Sequence, residues 1–350
     1  MKAYQIVKWG EPLEEREVPT PEPQGTEVLV RVTASGICHS DIHIWDGYFD
    51  MGGDNKLSLE ARGMQLPFTM GHETLGEVVA LGPDATGVEI GGKRIVFPWI
   101  GCGECDVCQR GEDLLCLAPR TVGTRYAGGY AEYCIVPHAK YLVPFADVDE
   151  PYAATCACSG VTAYSALKKL KHLRPEQHLM IVGAGGVGLA GIGMAKAVVD
   201  AKLIVADIDP AKRAAALAAG ADIVIDNSDE SAVASLLEKT GGGVHGIIDF
   251  VGAPASTGFA MQAAAREAKI VVVGLFGGAI PVPLASLPLR MMSLVGSYVG
   301  TLDEMHELMA LVQAGKVKPV PVTSRPLREA GQAIADLRDG KAVGRYVLVN

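Results

Sequence analysis

The sequence has no run of basic residues and no surplus of them: 31 Lys and Arg stand against 40 Asp and Glu, a formal net charge of −9. Without a cationic stripe a nucleic-acid backbone has nothing to meet, so nucleic acid is not expected as a partner. An unbroken membrane-length apolar run is missing too. The longest uncharged stretch, Ile270–Leu289, has 20 residues, about the length a bilayer requires. Pro281, Pro283 and Pro288, with Gly274, Gly277 and Gly278, interrupt it. Proline inside a helix removes a hydrogen bond and clashes with the preceding turn, so no continuous helix is expected there, and no membrane partner. The opening residues MKAYQIVKWGEPLEEREV lack the apolar core of a secretory signal and turn acidic early. The expectation is a soluble, cytoplasmic protein. Internal repeats and low-complexity linkers are also lacking.

What is present fits a globular chain. Apolar residues make up 49% and charged residues 20% of 350 residues, which excludes a disordered chain. That length suggests two domains. Glycine is abundant, 42 of 350 or 12%, against about 7% on average. Tight turns or loops facing a ligand explain such an excess. Eight cysteines would suit a disulfide scaffold in a short secreted chain, but four of them fall within Cys102–Cys116, which points to metal.

Residues 1–150 read as short strands punctuated by Gly, Pro and Asp, among them Glu27–Thr33, Leu75–Ala80, Lys93–Phe97 and Tyr130–Val136. Near residue 155 the pattern changes. Strands are expected at His178–Val182, Leu203–Ala206, Asp222–Ile225, Gly246–Phe250 and Lys269–Val273. Helices are expected between them, at Gly186–Val199, Pro210–Ala219, Ser231–Lys239 and Ala255–Ala265. Alternating strands and helices make a doubly wound parallel sheet. An amphipathic helix, Leu302–Ala314, and a strand, Arg345–Val349, follow. The tail is expected to return to the first domain, making the nucleotide domain an insertion.

Gly183-Ala184-Gly185-Gly186-Val187-Gly188 is a GxGxxG loop between an expected strand and helix. Its glycines permit a tight turn and close backbone approach to a pyrophosphate seated at the helix N-terminus. Asp207 lies 19 residues beyond Gly188 at the end of the next strand, about the distance for an acid that binds an adenosine ribose. Its carboxylate would repel a 2′-phosphate, so NAD is expected rather than NADP.

Two metal constellations are visible. Cys102, Cys105, Cys108 and Cys116 form a C-x2-C-x2-C-x7-C run. Four thiolates from one loop close a tetrahedron around Zn²⁺ and leave no open position, the pattern of a structural site. Iron–sulfur ligation has the wrong final spacing, and zinc is preferred over it and over disulfides. The second constellation is dispersed: Cys38, then His72, then Cys156 or Cys158. Two thiolates and one imidazole leave a fourth zinc position for water or substrate, a ligand set known from alcohol dehydrogenase.

Taken together, CHSDIHIW, GHE, CGECDVCQRGEDLLC, CSGVTAY and GAGGVG stand in the order found in zinc-dependent medium-chain alcohol dehydrogenases. The chain resembles that family over essentially its whole length, most closely the microbial, tetrameric, NAD-dependent type. The resemblance implies an α/β plus β fold: a GroES-like catalytic domain, residues 1–155 and 298–350, with an inserted Rossmann domain, residues 156–297. It implies Cys38, His72 and Cys158 as catalytic zinc ligands, with Cys156 a bystander. Glu73 would lie under the metal, and Asp41 would orient the zinc-bound histidine. Ser40 and His43 resemble a proton relay to solvent through the nicotinamide ribose. His39 and Arg345 resemble pyrophosphate contacts, and Thr162 a neighbour of the nicotinamide. Trp45, Trp99 and Leu275 fall where the family lines its substrate channel, and all are apolar. A hydrophobic primary, secondary or cyclic alcohol is therefore expected, with the corresponding aldehyde or ketone, two zinc ions and NAD. The alternatives are a zinc-dependent aldehyde or ketone reductase or dismutase, and a non-catalytic NAD-binding scaffold. The 34 residues from Cys38 to His72 exceed the family's common spacing. The extra segment, Asp50–Gln65, is read as a lid over the channel or an oligomer contact.

Overall fold

The computed structural model describes residues 1–350. In the N-terminal part the strands are β1 (Lys2–Ile6), β2 (Glu14–Glu17), β3 (Val28–Gly36), β4 (Tyr48–Asp50), β5 (Lys56–Ser58), β6 (Phe68–Thr69), β7 (Glu73–Leu81), β8 (Lys93–Val96), β9 (Tyr133–Val136) and β10 (Leu142–Val143). Two short helices accompany them, α1 (His39–Asp46) and α2 (Asp106–Gln109). A connecting segment follows: α3 (Glu150–Thr155), a π-helical turn at Cys156–Gly160, and α4 (Val161–Lys168).

The second part alternates strand and helix. It runs β11 (His178–Val182), α5 (Gly186–Val198), β12 (Lys202–Ala206), α6 (Pro210–Ala219), β13 (Ile223–Ile225), α7 (Ala232–Thr240), β14 (Val244–Asp249), α8 (Pro254–Ala263), β15 (Ala264–Val272), α9 (Ser286–Arg290) and β16 (Ser293–Gly296). The tail carries α10 (Leu302–Gln313), β17 (Val322–Pro326), α11 (Ala330–Arg338) and β18 (Arg345–Val349).

Strands β11 to β16 form one parallel sheet in the order β13-β12-β11-β14-β15-β16. The order reverses between β11 and β14. Such a reversal, at the carboxyl ends of the strands, is the usual ligand position in such sheets. β11 is buried at every residue, as a strand covered by helices on both faces must be.

The other main sheet runs β10-β8-β7-β3-β18-β17, with β9 also paired to β3. β18 comes from the far end of the chain and pairs antiparallel with β3, Val347 opposite Gly36. A small sheet, β2-β1-β6, and the β4-β5 hairpin complete the β structure.

One apolar core links both parts. It runs from Val30, Leu75 and Ile95 through Leu167 and Leu170 to Leu179, Ile181 and Val205. Leu167 and Leu170 are fully buried, and each such side chain contributes about 1.5–3 kcal/mol. The connecting segment is thereby fixed against both sheets.

Most boundaries shift by one to three residues, and the largest difference lies at the α8–β15 junction. Helix α8 stops at Ala263, and β15 begins at Ala264 rather than Lys269. Alanine fits either state, and Ala264 pairs with Val244 across an irregularity in the β14–β15 ladder. No helix is long and apolar enough to cross a membrane.

The candidate active site

Three chain segments converge on one buried point. Cys38 caps the start of α1. His72 directly precedes β7. Cys158 sits inside the π-turn between α3 and α4. Their ligand atoms lie within 4.8 Å of one another, and His72 has no solvent exposure. The Cys38 and Cys158 sulfurs are 3.9 Å apart. Two sulfurs bound tetrahedrally to one zinc at the usual bond length stand about 3.8 Å apart. His72 Nε2 is buried with no hydrogen-bond partner, a cost that a metal ion relieves. The three residues fit zinc. The thiol of Cys38 is drawn well below its ordinary range, chiefly by a hydrogen bond with Cys158, against the opposing effect of burial.

The π-turn turns the two candidate cysteines in different directions. A π-turn adds one residue to the helical repeat and redirects the side chains that follow. Cys158 faces Cys38, whereas Cys156 points back toward the Tyr152 carbonyl at 3.8 Å. Burial pushes the Cys156 thiol up to about 12, so it stays neutral.

Around the three ligands lies a second layer. Asp41 Oδ1 stands 3.2 Å from His72 Nδ1, an ion-pair approach off the line of a good hydrogen bond. Asp41 Oδ2 accepts from the Cys38 N–H at 2.8 Å and from the Tyr130 hydroxyl at 3.0 Å. Glu73 is wholly buried and pairs with Arg345 of β18. Its other oxygen accepts from the Ser159 N–H at 3.0 Å, tying it to the turn that carries Cys158. Burial raises the Glu73 carboxyl, and the Arg345 charge opposes that rise.

The glycine loop reaches the surroundings of this cluster through Arg345, the partner of Glu73. Gly183 has φ +90°, which only glycine adopts readily. A Cβ at Gly188 would fall 1.9 Å from the Gly183 carbonyl oxygen, and one at Gly186 2.5 Å from Arg345 Cδ. At Gly185 a Cβ would meet nothing within 4 Å. A phosphate has room there, beside the amides of the first turn of α5. Val187 packs on the main core from that turn. Asp207, at the end of β12, accepts from the Ala184 N–H at 2.7 Å and the Asp209 N–H at 2.9 Å. Thr162 Oγ1 and His43 Nε2 are buried and without partners, as groups awaiting a ligand are. The loop and its surroundings fit a dinucleotide.

His43 stands on α1, its ring 5.7 Å from His39 and 4.9 Å from Phe49. Burial holds its basicity below the ordinary histidine value, against Asp46 and Cys38. Ser40 Oγ lies 3.8 Å from the Cys38 sulfur. His39 is lowered to about 4, mainly by burial, and is neutral at pH 7.

Trp99 lies beside the cluster: its ring is 5.5 Å from that of His72, and its N–H donates to the Ala157 carbonyl at 3.0 Å. Trp45 is elsewhere. Its indole N–H donates to the Glu11 carbonyl, and its ring packs under Arg338 at 4.9 Å. It lines an outer cavity of about 570 Å³ that contains none of the metal ligands. Channel lining by Trp45 is therefore corrected: on a short helix its side chain points away from the face carrying His39 and His43. Leu275 lies exposed in the loop after β15. Next to it Phe276 stacks on His39 at 4.4 Å, and Tyr298 meets Trp99 edge-on at 5.8 Å. Sequence reasoning missed both, because neither belongs to a motif.

The expected lid is a hairpin with a turn behind it. Leu59 and Met64 pack against the N-terminal core. At its tip Gly52 approaches the Gly278 carbonyl so closely that a Cβ would fall 2.8 Å from the oxygen.

The four lobe cysteines form a second cluster. Sulfur–sulfur distances are 3.9 Å for Cys102–Cys108, 3.5 Å for Cys105–Cys108 and 3.9 Å for Cys105–Cys116. All are free thiols within tetrahedral reach of one ion. Amides of Glu104 and Cys105 donate to the Cys102 sulfur, and draw its thiol down to about 6. The set fits structural zinc.

Comparison with known proteins agrees with this geometry. The family described as "Alcohol dehydrogenase GroES-like domain" matches residues 24–147, and "Zinc-binding dehydrogenase" matches residues 186–314. An NAD-dependent alcohol dehydrogenase of Sulfurisphaera tokodaii is 39% identical, covering 100% of both chains. An alcohol dehydrogenase of Geobacillus stearothermophilus is 34% identical over 99% of this chain and 98% of its own. The solved alcohol dehydrogenase of Aeropyrum pernix superposes with a TM-score of 0.91 at 30% identity, covering 100% of both chains.

Proposed function

The chain belongs to the zinc-dependent medium-chain alcohol dehydrogenase family, and from that premise we propose how its residues divide the work. It is an NAD-dependent oxidoreductase that interconverts alcohols with aldehydes or ketones, with zinc and NAD as cofactors. The observation that carries this reading is the buried Cys38–His72–Cys158 cluster beside the glycine loop and the unpartnered Thr162 and His43 atoms. When bound, zinc polarises the substrate oxygen and the nicotinamide accepts the hydride.

The protein's own groups do the rest. Cys38, His72 and Cys158 hold the catalytic ion; Cys102, Cys105, Cys108 and Cys116 hold the structural one. Asp41 fixes the His72 ring. Glu73, neutralised by Arg345, anchors the turn that carries Cys158. Gly183, Gly185, Gly186, Val187 and Gly188 seat the pyrophosphate, with His39 and Arg345 beside it, and Asp207 selects the NAD ribose. Thr162 packs beside the nicotinamide. Ser40 takes the substrate proton and His43 passes it to solvent, its basicity lowered so that it stays neutral and receptive at pH 7. Trp99 forms an apolar wall and excludes water, and Leu275 lies at the outer rim; a hydrophobic primary, secondary or cyclic alcohol suits such walls.

The domain boundaries we place at 1–155 with 298–350, and at 156–297. The protein is read as a cytoplasmic homo-oligomer, tetramer favoured over dimer. β16 supports self-association: it is the edge of the parallel sheet, with Leu294 39% and nearby Met291 54% exposed. The deciding experiment supplies the zinc-loaded protein with NAD⁺ and an alcohol series and follows NADH absorbance. Turnover with two zinc ions per chain is expected. Bound zinc with no turnover of any alcohol would leave a scaffold.

A further inference from the structure

The wall of the substrate channel runs from the metal ligand His72 to Trp99, 5.5 Å away ring to ring, and on to Tyr298 at 5.8 Å. Tyr298 leaves 59% of its surface open to solvent. Two arginines meet from separate segments, one of them on a turn packed against the metal-ligand segment: a Cβ at Gly123, in the Arg125 turn, would fall 2.6 Å from the His72 amide nitrogen. Arg62 rides the turn closed by the Arg62 and Met64 amides on the Leu59 carbonyl, at 3.1 and 3.0 Å. Leu59 and Met64 anchor that turn in the N-terminal core. Arg125 rides another turn, held by its own amide and that of Tyr126 on the Thr121 carbonyl, each at 3.0 Å. Arg125 Nη1 reaches the Arg62 carbonyl at 3.5 Å and joins the two turns. Both arginines are exposed, and neither lies within ion-pair distance of a carboxylate. The Tyr298 hydroxyl feels both sides of this arrangement. Burial pushes it up to about 12, the Cys158 sulfur adds to that, and Arg125 and Arg62 pull it back.

We propose that Arg62 and Arg125 form an anion-reading pair at the channel mouth, and that the preferred substrate carries a carboxylate remote from its reacting carbon. This rests on the dehydrogenase reading and narrows it: the substrate class is a hydroxy acid and its semialdehyde rather than a plain hydrophobic alcohol. The hydroxyl-bearing carbon lies at the metal cluster, the methylene chain runs along Trp99 and Tyr298, and the carboxylate meets the guanidiniums. In the reaction that carbon loses a hydride to NAD⁺ and its hydroxyl loses a proton; the carboxylate is unchanged. Guanidinium suits this task because its planar fork matches a carboxylate. Elsewhere the chain is acidic, net charge −9, so an isolated cationic pair draws anions selectively to the mouth. Arg62 belongs to the segment that lengthens the spacing between Cys38 and His72, which gives that segment a chemical role.

The test uses the zinc-loaded full chain with NAD⁺ and matched pairs: γ-hydroxybutanoate against n-butanol, and ω-hydroxyhexanoate against n-hexanol. At least one hydroxy acid is expected to exceed its neutral counterpart in kcat/KM by about tenfold at low salt, the gap narrowing as salt is added. Arg62→Ala or Arg125→Ala should each lower that ratio by about tenfold, through KM of the acid, and Arg62→Lys should restore part of it. Zinc content and melting temperature of each variant check that the fold is kept. Turnover of the neutral alcohols with no gain from a carboxylate at either length overturns the anion reading and leaves the dehydrogenase reading standing. A gain that survives both arginine substitutions assigns the anion site elsewhere and also overturns it. No NADH from any substrate of either kind removes both readings.

Discussion

The four cysteines of the lobe sit in one short loop, and three of them are only partly buried. Cys38, His72 and Cys158 come from segments up to 120 residues apart, and all three are buried. The lobe is held mainly by its own backbone, its amides donating to its sulfurs. The buried cluster is held by two sheets, a π-turn and a pair of carboxylates. A site that must organise a loop can be local and saturated with ligands. One that must admit a substrate needs an open ligand position inside a rigid, dry frame, and distant parts of the fold have to build it.

Removing one sulfur from each cluster sharpens this contrast most. Cys38→Ser should lower kcat by at least about a thousandfold, given the several kcal/mol a Lewis acid supplies, with the circular-dichroism spectrum retained. Cys105→Ser should instead cost several kcal/mol of stability, because metal-binding free energy in such a loop is folding free energy. A thermal melt with zinc counting checks this, and equal loss of fold in both variants would break the comparison. His43→Gln should lower the rate about tenfold near neutral pH and be partly rescued by alkali, where hydroxide takes the proton. His43 has its basicity depressed by burial, so the acid limb it controls should lie below about 6.5, the free-histidine value. The stability sign follows: the unfolded chain binds the proton more readily, so His43 costs stability only as pH falls below that value. A pH–rate profile identical in the variant would remove it from the relay. The smallest effect is expected at Cys156, which is as buried as Cys158 but faces away. Cys156→Ser should cost about 1–3 kcal/mol for a poorly satisfied hydroxyl, with two zinc ions and unchanged kinetics.

Legibility followed contiguity. The glycine loop and the lobe were readable because all their chemistry lies in one short segment with one local geometry. The proposed catalytic ligands were readable as residue types, yet Cys156 and Cys158 were separated only by resemblance. The physical discriminator is the π-turn, which no hydrophobic period announces. Trp45 shows the opposite failure: its place in the motif pointed to the channel, while its rotation on α1 sends it to Glu11 and Arg338. Phe276, Tyr298 and the Arg62–Arg125 contact were invisible, since each acquires meaning only from segments far away in the chain. The apolar residues of the 50–65 segment were legible as apolar, but not the surface they would cover.

The pairing of β18 with β3 also sets an order of events during synthesis. Arg345 and Glu73, 272 residues apart, form their ion pair across that junction. The N-terminal half leaves the ribosome first, carrying Cys38, His72 and the lobe thiols, with the Ala34–Gly36 end of one β3 flank unpaired. The whole nucleotide-binding sheet must then emerge before the strand that covers that flank exists. Contacts of such long sequence separation form late and slowly. In the nascent chain the lobe thiols are therefore complete and available to metal well before the catalytic cluster has its Cys158 or its buried counter-charge. Ion loading is in that sense vectorial: the structural site is ready co-translationally, and the catalytic one closes only when the last residues arrive.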